Sequence, residues 1–349
     1  MRADTFREVI DFIRRIKAES GATHVRIGFH GGEPLLLKKS AMRDMCTQLR
    51  DEFGQDPILA LMLQTNGVLV DAEWIKIFSE FHIRVGVSLD GPPALNDKTR
   101  ITKKGKGTYH QTAKAWKLLL QAANAGEIKE PSILCVVAPE ANGEMIFNHF
   151  VDDMRARSIS FLLPDFTYDT IIFNKQVISQ CTDFLLSVAT AWMDRQETGI
   201  SVRFIDEVIG KLISDELAND TSSRHNPYRQ FSISSNGEIC PDDVIRSFAP
   251  RFAATEQRAA SATYNALAAH PAWTELARAA EKLPLECSTC VWKRVCGGGT
   301  LHHRYRKRNG FDNPSIYCEV YKKVNSYIAA RLVASGIPAD SIERRLVGN

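Results

Sequence analysis

The sequence has 349 residues, 44% hydrophobic and 24% charged, with 21 glycines and 14 prolines, which excludes a disordered tail or a peptide-sized module and suffices for a sizeable core. At about 150 residues per domain the length suggests two units, or one barrel of roughly 250 residues with an appendage. Forty-four Lys and Arg against 41 Asp and Glu leave +3, which argues against nucleic acid or a membrane as partner. With no signal peptide and no apolar run near the ~20 residues of a membrane span, the expected location is cytoplasmic.

In chain order, residues 5–19 place Phe6, Val9, Ile10, Ile13 and Ile16 on one helical face, with Thr5 and Glu8 spaced as a capping box. Strands are predicted at Val25–His30, Leu59–Thr65, Ile83–Asp90, Ile133–Val137 and Ser158–Leu163, each separated from the next by enough chain for a crossover helix. Five parallel strands of an α/β unit result. A unit that opens on a helix reads as one that lacks its first strand. From about residue 200 the pattern changes, and two domains are expected, 1–200 and 201–349. The second opens with a hairpin turn at Ser234-Ser235-Asn236-Gly237 and an Ala-rich helix from about Thr255 to Lys282. A last helix is expected to start near Asn313-Pro314, with Asn as N-cap, carrying Cys318 in its first turns.

Five of the eight cysteines lie in the last third: Cys240, Cys287, Cys290, Cys296 and Cys318. In a reducing compartment such clustering reads as metal binding before disulfides. Cys287-x2-Cys290-x5-Cys296 followed by Cys318 can close a tetrahedral zinc site or hold one iron–sulfur cluster, and spacing alone does not choose between them. Gly297-Gly298-Gly299 is expected to permit close backbone approach to such a cluster. Six cations without an acid between Cys287 and Phe311 (Lys293, Arg294, Arg304, Arg306, Lys307, Arg308) suit an anionic neighbour or a solvated basic loop equally. His302 and His303 read as packing or substrate contacts while four cysteines suffice as ligands.

Three consecutive strand ends carry polar residues: His30-Gly31-Gly32-Glu33-Pro34, Gln64-Thr65-Asn66-Gly67 and Ser88-Leu89-Asp90-Gly91. Two glycines let the backbone approach a ligand, and the carboxylate after them can accept hydrogen bonds from an ammonium group. Each end alone suits a plain turn or cap; three on one side of the sheet point to a polar ligand site.

Together with the Cys-rich tail, these motifs resemble radical SAM enzymes with a SPASM domain over nearly the whole chain. The run from Cys296 to Tyr305 with Gly310–Cys318 looks like the branch that forms cyclophane crosslinks in ribosomal peptides. The resemblance implies a partial (β/α)6 radical SAM barrel lacking its first strand, plus a C-terminal SPASM-like iron–sulfur domain. It implies S-adenosylmethionine held by Gly31, Gly32 and Glu33 at its ammonium and by contacts near Asn66, Ser88, Asp90 and Arg100 at ribose and carboxylate, with Val136-Val137 and Leu163-Pro164 flanking the adenine. It implies one auxiliary [4Fe–4S] cluster on Cys287, Cys290, Cys296 and Cys318. A further auxiliary site is not expected, because the position four residues past Cys296 is Thr300 and Cys240 has no partners. An Asp after the cysteine at position 240 can act as a proton acceptor in related peptide-modifying enzymes, for which Cys240-Pro241-Asp242-Asp243 offers two candidates, Asp242 being the one taken and an ordinary solvated turn the alternative. The implied partners are a precursor peptide and an external electron donor.

The departure is the superfamily's Cys-x3-Cys-x2-Cys, which holds the cluster that cleaves S-adenosylmethionine. This sequence contains no such triad. Its loop would precede Met1, and the reading is an amino-terminal truncation or, second, a degenerate homologue. The two expected functions follow: a peptide maturase that crosslinks side chains, or a non-catalytic iron–sulfur or zinc scaffold that binds a peptide.

Overall fold

The computed structural model describes residues 1–55, 57–170, 174–214 and 226–347. Two compact units interleave along the chain, where the sequence reading placed one boundary at 200/201. One holds His24–Pro164 and Ser179–Glu207; the other holds Met1–Thr23, Asp165–Ile178 and Val208–Asn349.

The first unit is built on a parallel sheet whose strands follow sequence order: β1 (Val25–Phe29), β2 (Leu59–Thr65), β3 (Arg84–Ser88), β4 (Ser132–Val136), β5 (Ser158–Leu162) and β6 (Ser201–Val202). Five match the expected strands to within two residues. The sixth is two residues long, too short to leave a periodic signal. Pairing runs in step, with Phe29 beside Leu63, Thr65 beside Val87, Ser88 beside Leu134 and Val136 beside Leu162, so the carboxyl ends of β1 to β5 share one side. Along β2, Leu59, Leu61, Leu63 and Thr65 point into the core and the residues between them are half-buried. Crossover helices α2 (Lys39–Phe53), α3 (Ala72–Glu80), α4 (Pro93–Thr99), α5 (Tyr109–Asn124) and α6 (Gly143–Asn148) lie between successive strands, and α7 (Lys175–Asp194) precedes β6.

The second unit gathers its core from distant segments. Helix α1 (Ala3–Ser20) contributes Val9, Phe12 and Ile16 to a cluster with Ile239, Phe252, Trp273, Leu276, Tyr305 and Phe311. Its N-cap is Arg2, without a side-chain cap, so the expected Thr5–Glu8 box is not formed. Thr5 instead approaches the turn at Gly237, where a Cβ would meet its methyl at 3.1 Å. The hairpin is present as β7 (Ser232–Ile233) and β8 (Ile239–Cys240). The Ala-rich segment is not one helix. It divides into Tyr264–Ala269 and Pro271–Glu281, because Pro271 has no N–H to continue the first and suits the first turn of the second. The last cysteine also opens its helix later than expected. Cys318–Ala334 starts at the cysteine itself, since the Asn313 amide is turned inward to donate to the carbonyls of Arg304 and Gly310. Among the described residues, no helix is long and apolar enough to cross a membrane.

Candidate functional site

At the carboxyl ends of the strands, Gly31 and Gly32 have φ of 81° and 57°, a left-handed pair that turns the chain away from β1. Both are exposed, and open space lies where a Cβ would sit, so the backbone here is accessible to a ligand. Glu33 follows half-buried. Its Oε1 accepts from the Thr65 hydroxyl at 2.7 Å and the Leu35 N–H at 3.1 Å, and its Oε2 accepts from the Asn66 N–H at 2.9 Å. The carboxylate thus ties the end of β1 to the end of β2, with acceptor capacity left on Oε2. The Asn66 side chain accepts from the Val68 N–H at 2.9 Å and holds that turn.

One strand further, the Ser88 hydroxyl accepts from the Gln64 amide at 2.9 Å. Gly86 makes room for that side chain: a Cβ there would meet Gln64 Oε1 at 2.2 Å. Asp90 and Arg100 form a two-point ion pair, Nε to Oδ2 at 2.6 Å and Nη2 to Oδ1 at 2.9 Å. Asp90 also accepts from the Val136 N–H at 3.0 Å, which ties the end of β3 to the end of β4. The expected residues Gly31, Gly32, Glu33, Asn66, Ser88, Asp90 and Arg100 therefore meet along one row of strand ends, but the acids already have partners within the fold. Thr65 and Gln64, which orient Glu33 and Ser88, stand in the polar strand-end motif of the sequence but were not among the expected site contacts.

In the other unit, Cys287, Cys290, Cys296 and Cys318 line one small cavity with Trp292, Lys293, Gly298, Tyr321 and Lys322. Short hydrogen-bonded turns bring them there. The Cys290 N–H donates to the Cys287 carbonyl at 3.3 Å, the Cys296 N–H to Trp292 at 2.8 Å, and Cys318 begins its helix. All four are free thiols. Burial pushes the Cys287 and Cys318 thiols above their ordinary value; a bound cation would reverse that preference. Of the three glycines after Cys296, Gly298 lines the thiol cavity, and two are also required by close packing. A Cβ on Gly298 would meet Leu283 at 2.8 Å, and one on Gly299 would meet Tyr321 at 2.8 Å.

Of the six expected cations, Arg304 alone is buried, 1% exposed. It donates to the carbonyls of Ala279 at 2.8 Å and Phe311 at 3.0 Å, with longer bonds to Lys282 and Asn313. Burial lowers its pKa, while Cys287 and Cys296 pull it back up, so a cation sits within electrostatic reach of the thiols. The sequence could not separate this arginine from its exposed neighbours.

Asp242 lies beside the buried Cys240, whose thiol contacts the Ala253 carbonyl at 3.5 Å and which is not among the residues lining the thiol cavity. Asp242 Oδ1 accepts from the Val244 and Ile245 N–H groups, both at 2.8 Å. Burial pushes its carboxyl above the usual range, with the neighbouring Asp243 adding to this and the two N–H bonds and His302 opposing it.

Residues 1–146 match the model of the Radical SAM superfamily. The chain is 25% identical over 93% of its length to the cysteine-type anaerobic sulfatase-maturating enzyme of Clostridium perfringens (strain 13 / Type A), covering 87% of that protein. It is 25% identical over 84% of its length to the serine-type enzyme of Klebsiella aerogenes, covering 71% of it. Among solved structures, native anSMEcpe with bound AdoMet superposes with a TM-score of 0.81 at 24% identity, covering 96% of this chain and 90% of that one. The same protein with AdoMet and the Cp18Cys peptide gives 0.79 at 22% identity, covering 96% and 91%.

Proposed function

We propose that this chain, which carries a radical SAM domain over residues 1–146, is a maturase of the anaerobic sulfatase-maturating type that modifies a side chain of a protein or peptide. The observation that supports this most is the extent of the likeness: 93% of the chain, taking in both the strand-end row and the four-cysteine segment. The finer reading is that the substrate is a short ribosomal precursor peptide whose side chains become crosslinked, with electrons from an external donor.

The strand ends suit S-adenosylmethionine. Gly31 and Gly32 leave an open backbone cradle, and Glu33 Oε2 retains capacity for an ammonium group. Asp90 and Arg100, closed on each other, would shape the far side of that site. Bound there, the cofactor would supply the alkyl radical precursor of the reaction class. The four thiols fit one auxiliary [4Fe–4S] cluster: they share a cavity and have Arg304 and Lys322 nearby to balance an anionic centre. Asp242, with a carboxyl raised by burial, is suited to take a proton from substrate.

The chain's other cysteines do not fit a second, three-thiolate centre. Cys46, Cys135 and Cys181 are each fully buried in α2, β4 and α7, and burial pushes the first and last up to about 12. The second reading is a peptide-binding scaffold that retains the fold and one metal centre without radical chemistry. The deciding experiment takes a version of the chain extended upstream through a Cys-x3-Cys-x2-Cys segment, reconstitutes it anaerobically with iron and sulfide, then supplies S-adenosylmethionine, a reductant and a candidate precursor peptide. The maturase reading expects 5′-deoxyadenosine in step with modified peptide, by mass spectrometry. Peptide binding without either product overturns it in favour of the scaffold.

A further inference from the structure

Outside the thiol cavity, one other group of side chains among the described residues has the makeup of a metal site. Asp165, His302 and His303 each place a potential ligand atom within 4.8 Å of the others. The two histidines lie on a short 3-10 turn, Leu301–Arg304, and are 8% and 3% exposed. Asp165 comes from a separate segment and is exposed, which gives the group a side open to water.

The local structure holds the rings. The backbone N–H of His303 donates to the Thr300 carbonyl at 3.1 Å and its backbone carbonyl accepts from the Ile316 N–H at 2.9 Å, while its ring packs edge-on to Tyr317 at 4.7 Å between centroids. The His302 and His303 ring centroids are 4.0 Å apart at 68°. His302 Nε2 is buried and pairs with Asp165 Oδ1 at 3.1 Å. That N···O separation also suits two donors that share a third partner. Two ligands with bonds of about 2.1 Å on one tetrahedral or octahedral ion stand roughly 3.0–3.4 Å apart.

We propose that Asp165, His302 and His303 form a mononuclear site for a divalent first-row transition ion of the zinc or ferrous type. Two imidazoles and one carboxylate suit such ions, and three protein ligands leave at least one position for water or a substrate group. The site is separate from the four cysteines and needs no sulfur ligand.

The test titrates the full chain, with the cysteines loaded by anaerobic iron–sulfur reconstitution, using cobalt(II) as probe and zinc as competitor. The expected result is one saturable equivalent with weak visible d–d bands and no thiolate-to-cobalt charge-transfer band, displaced by zinc. His302→Gln should weaken binding at least 100-fold and the exposed-site variant Asp165→Asn about 10-fold, with the iron–sulfur absorbance unchanged. Asp165→Asn removes no buried group, so its result stands even where a histidine variant folds poorly. No saturable cobalt binding, or equal binding by wild type and Asp165→Asn, overturns the site. A band with thiolate charge transfer that both variants retain assigns the ion to the cysteines and overturns it as well.

Discussion

Glu33 has a structural duty as well as a place in the candidate binding row. Three donors converge on its two oxygens, so Glu33→Gln turns an amide N–H₂ toward at least one donor and leaves it unsatisfied. The expected cost is about 2 kcal/mol in urea unfolding, together with weaker S-adenosylmethionine binding by calorimetry. Thr65→Val removes only the hydroxyl and should cost less, about 1 kcal/mol. Arg304 is the corresponding residue of the other unit. Arg304→Met strips several buried carbonyls of their donor and removes the cation near Cys287 and Cys296. A loss on the order of 3 kcal/mol is expected by thermal unfolding, with lower iron retention after reconstitution. Asp242→Asn keeps the oxygen that accepts from Val244 and Ile245 but cannot take a proton at neutral pH. Iron content should be unchanged and peptide modification reduced at least 100-fold; unaltered turnover would remove Asp242 from the mechanism.

At the scale of elements, two contacts decide how crossover helices seat. Gly143 opens α6 against α7: a Cβ there would stand 2.2 Å from the Phe184 carbonyl oxygen, a backbone atom that cannot swing aside. Gly143→Ala should destabilise by about 2–3 kcal/mol, read as a lower urea midpoint. Asp71 caps α3 by accepting from the N–H groups of Glu73 and Trp74, and it also pairs with Lys39 at 2.5 Å. Its partial burial raises the carboxyl pKa, but the Lys39 bond and the two cap bonds outweigh that and leave it lowered. A lowered folded pKa gives stability that is present above the unfolded value of about 3.9 and lost as pH falls through the folded one. Asp71→Ala should therefore cost about 1 kcal/mol at pH 7 and progressively less below pH 4, by denaturant unfolding at each pH. Elements were legible where the signal was local. Alternating Leu59, Leu61 and Leu63 announced β2 to the residue, while Pro271 was overlooked as a helix break inside an Ala-rich run. The capping box at Thr5 failed because α1 had already begun at Ala3.

For the whole molecule, the two units explain why the chemistry-bearing residues lie where they do. In-register parallel strands place every βα turn on one side, so the polar residues at the ends of β1, β2 and β3 form a row without any of them being near another in sequence. The four cysteines span 32 positions and are brought to one cavity by short turns and a late helix start. The sequence by itself determined the parallel α/β architecture, the strand-end motifs and the thiol tetrad, because periodicity and close spacing are local properties of the chain. Tertiary structure alone decided which helix belongs to which core, that Glu33 and Asp90 already hold partners, that Arg304 is the one buried cation of its run, and that Asp165 joins His302 and His303. Each of these depends on segments far apart in sequence being packed together, and burial and pairing energies have no counterpart in a linear pattern.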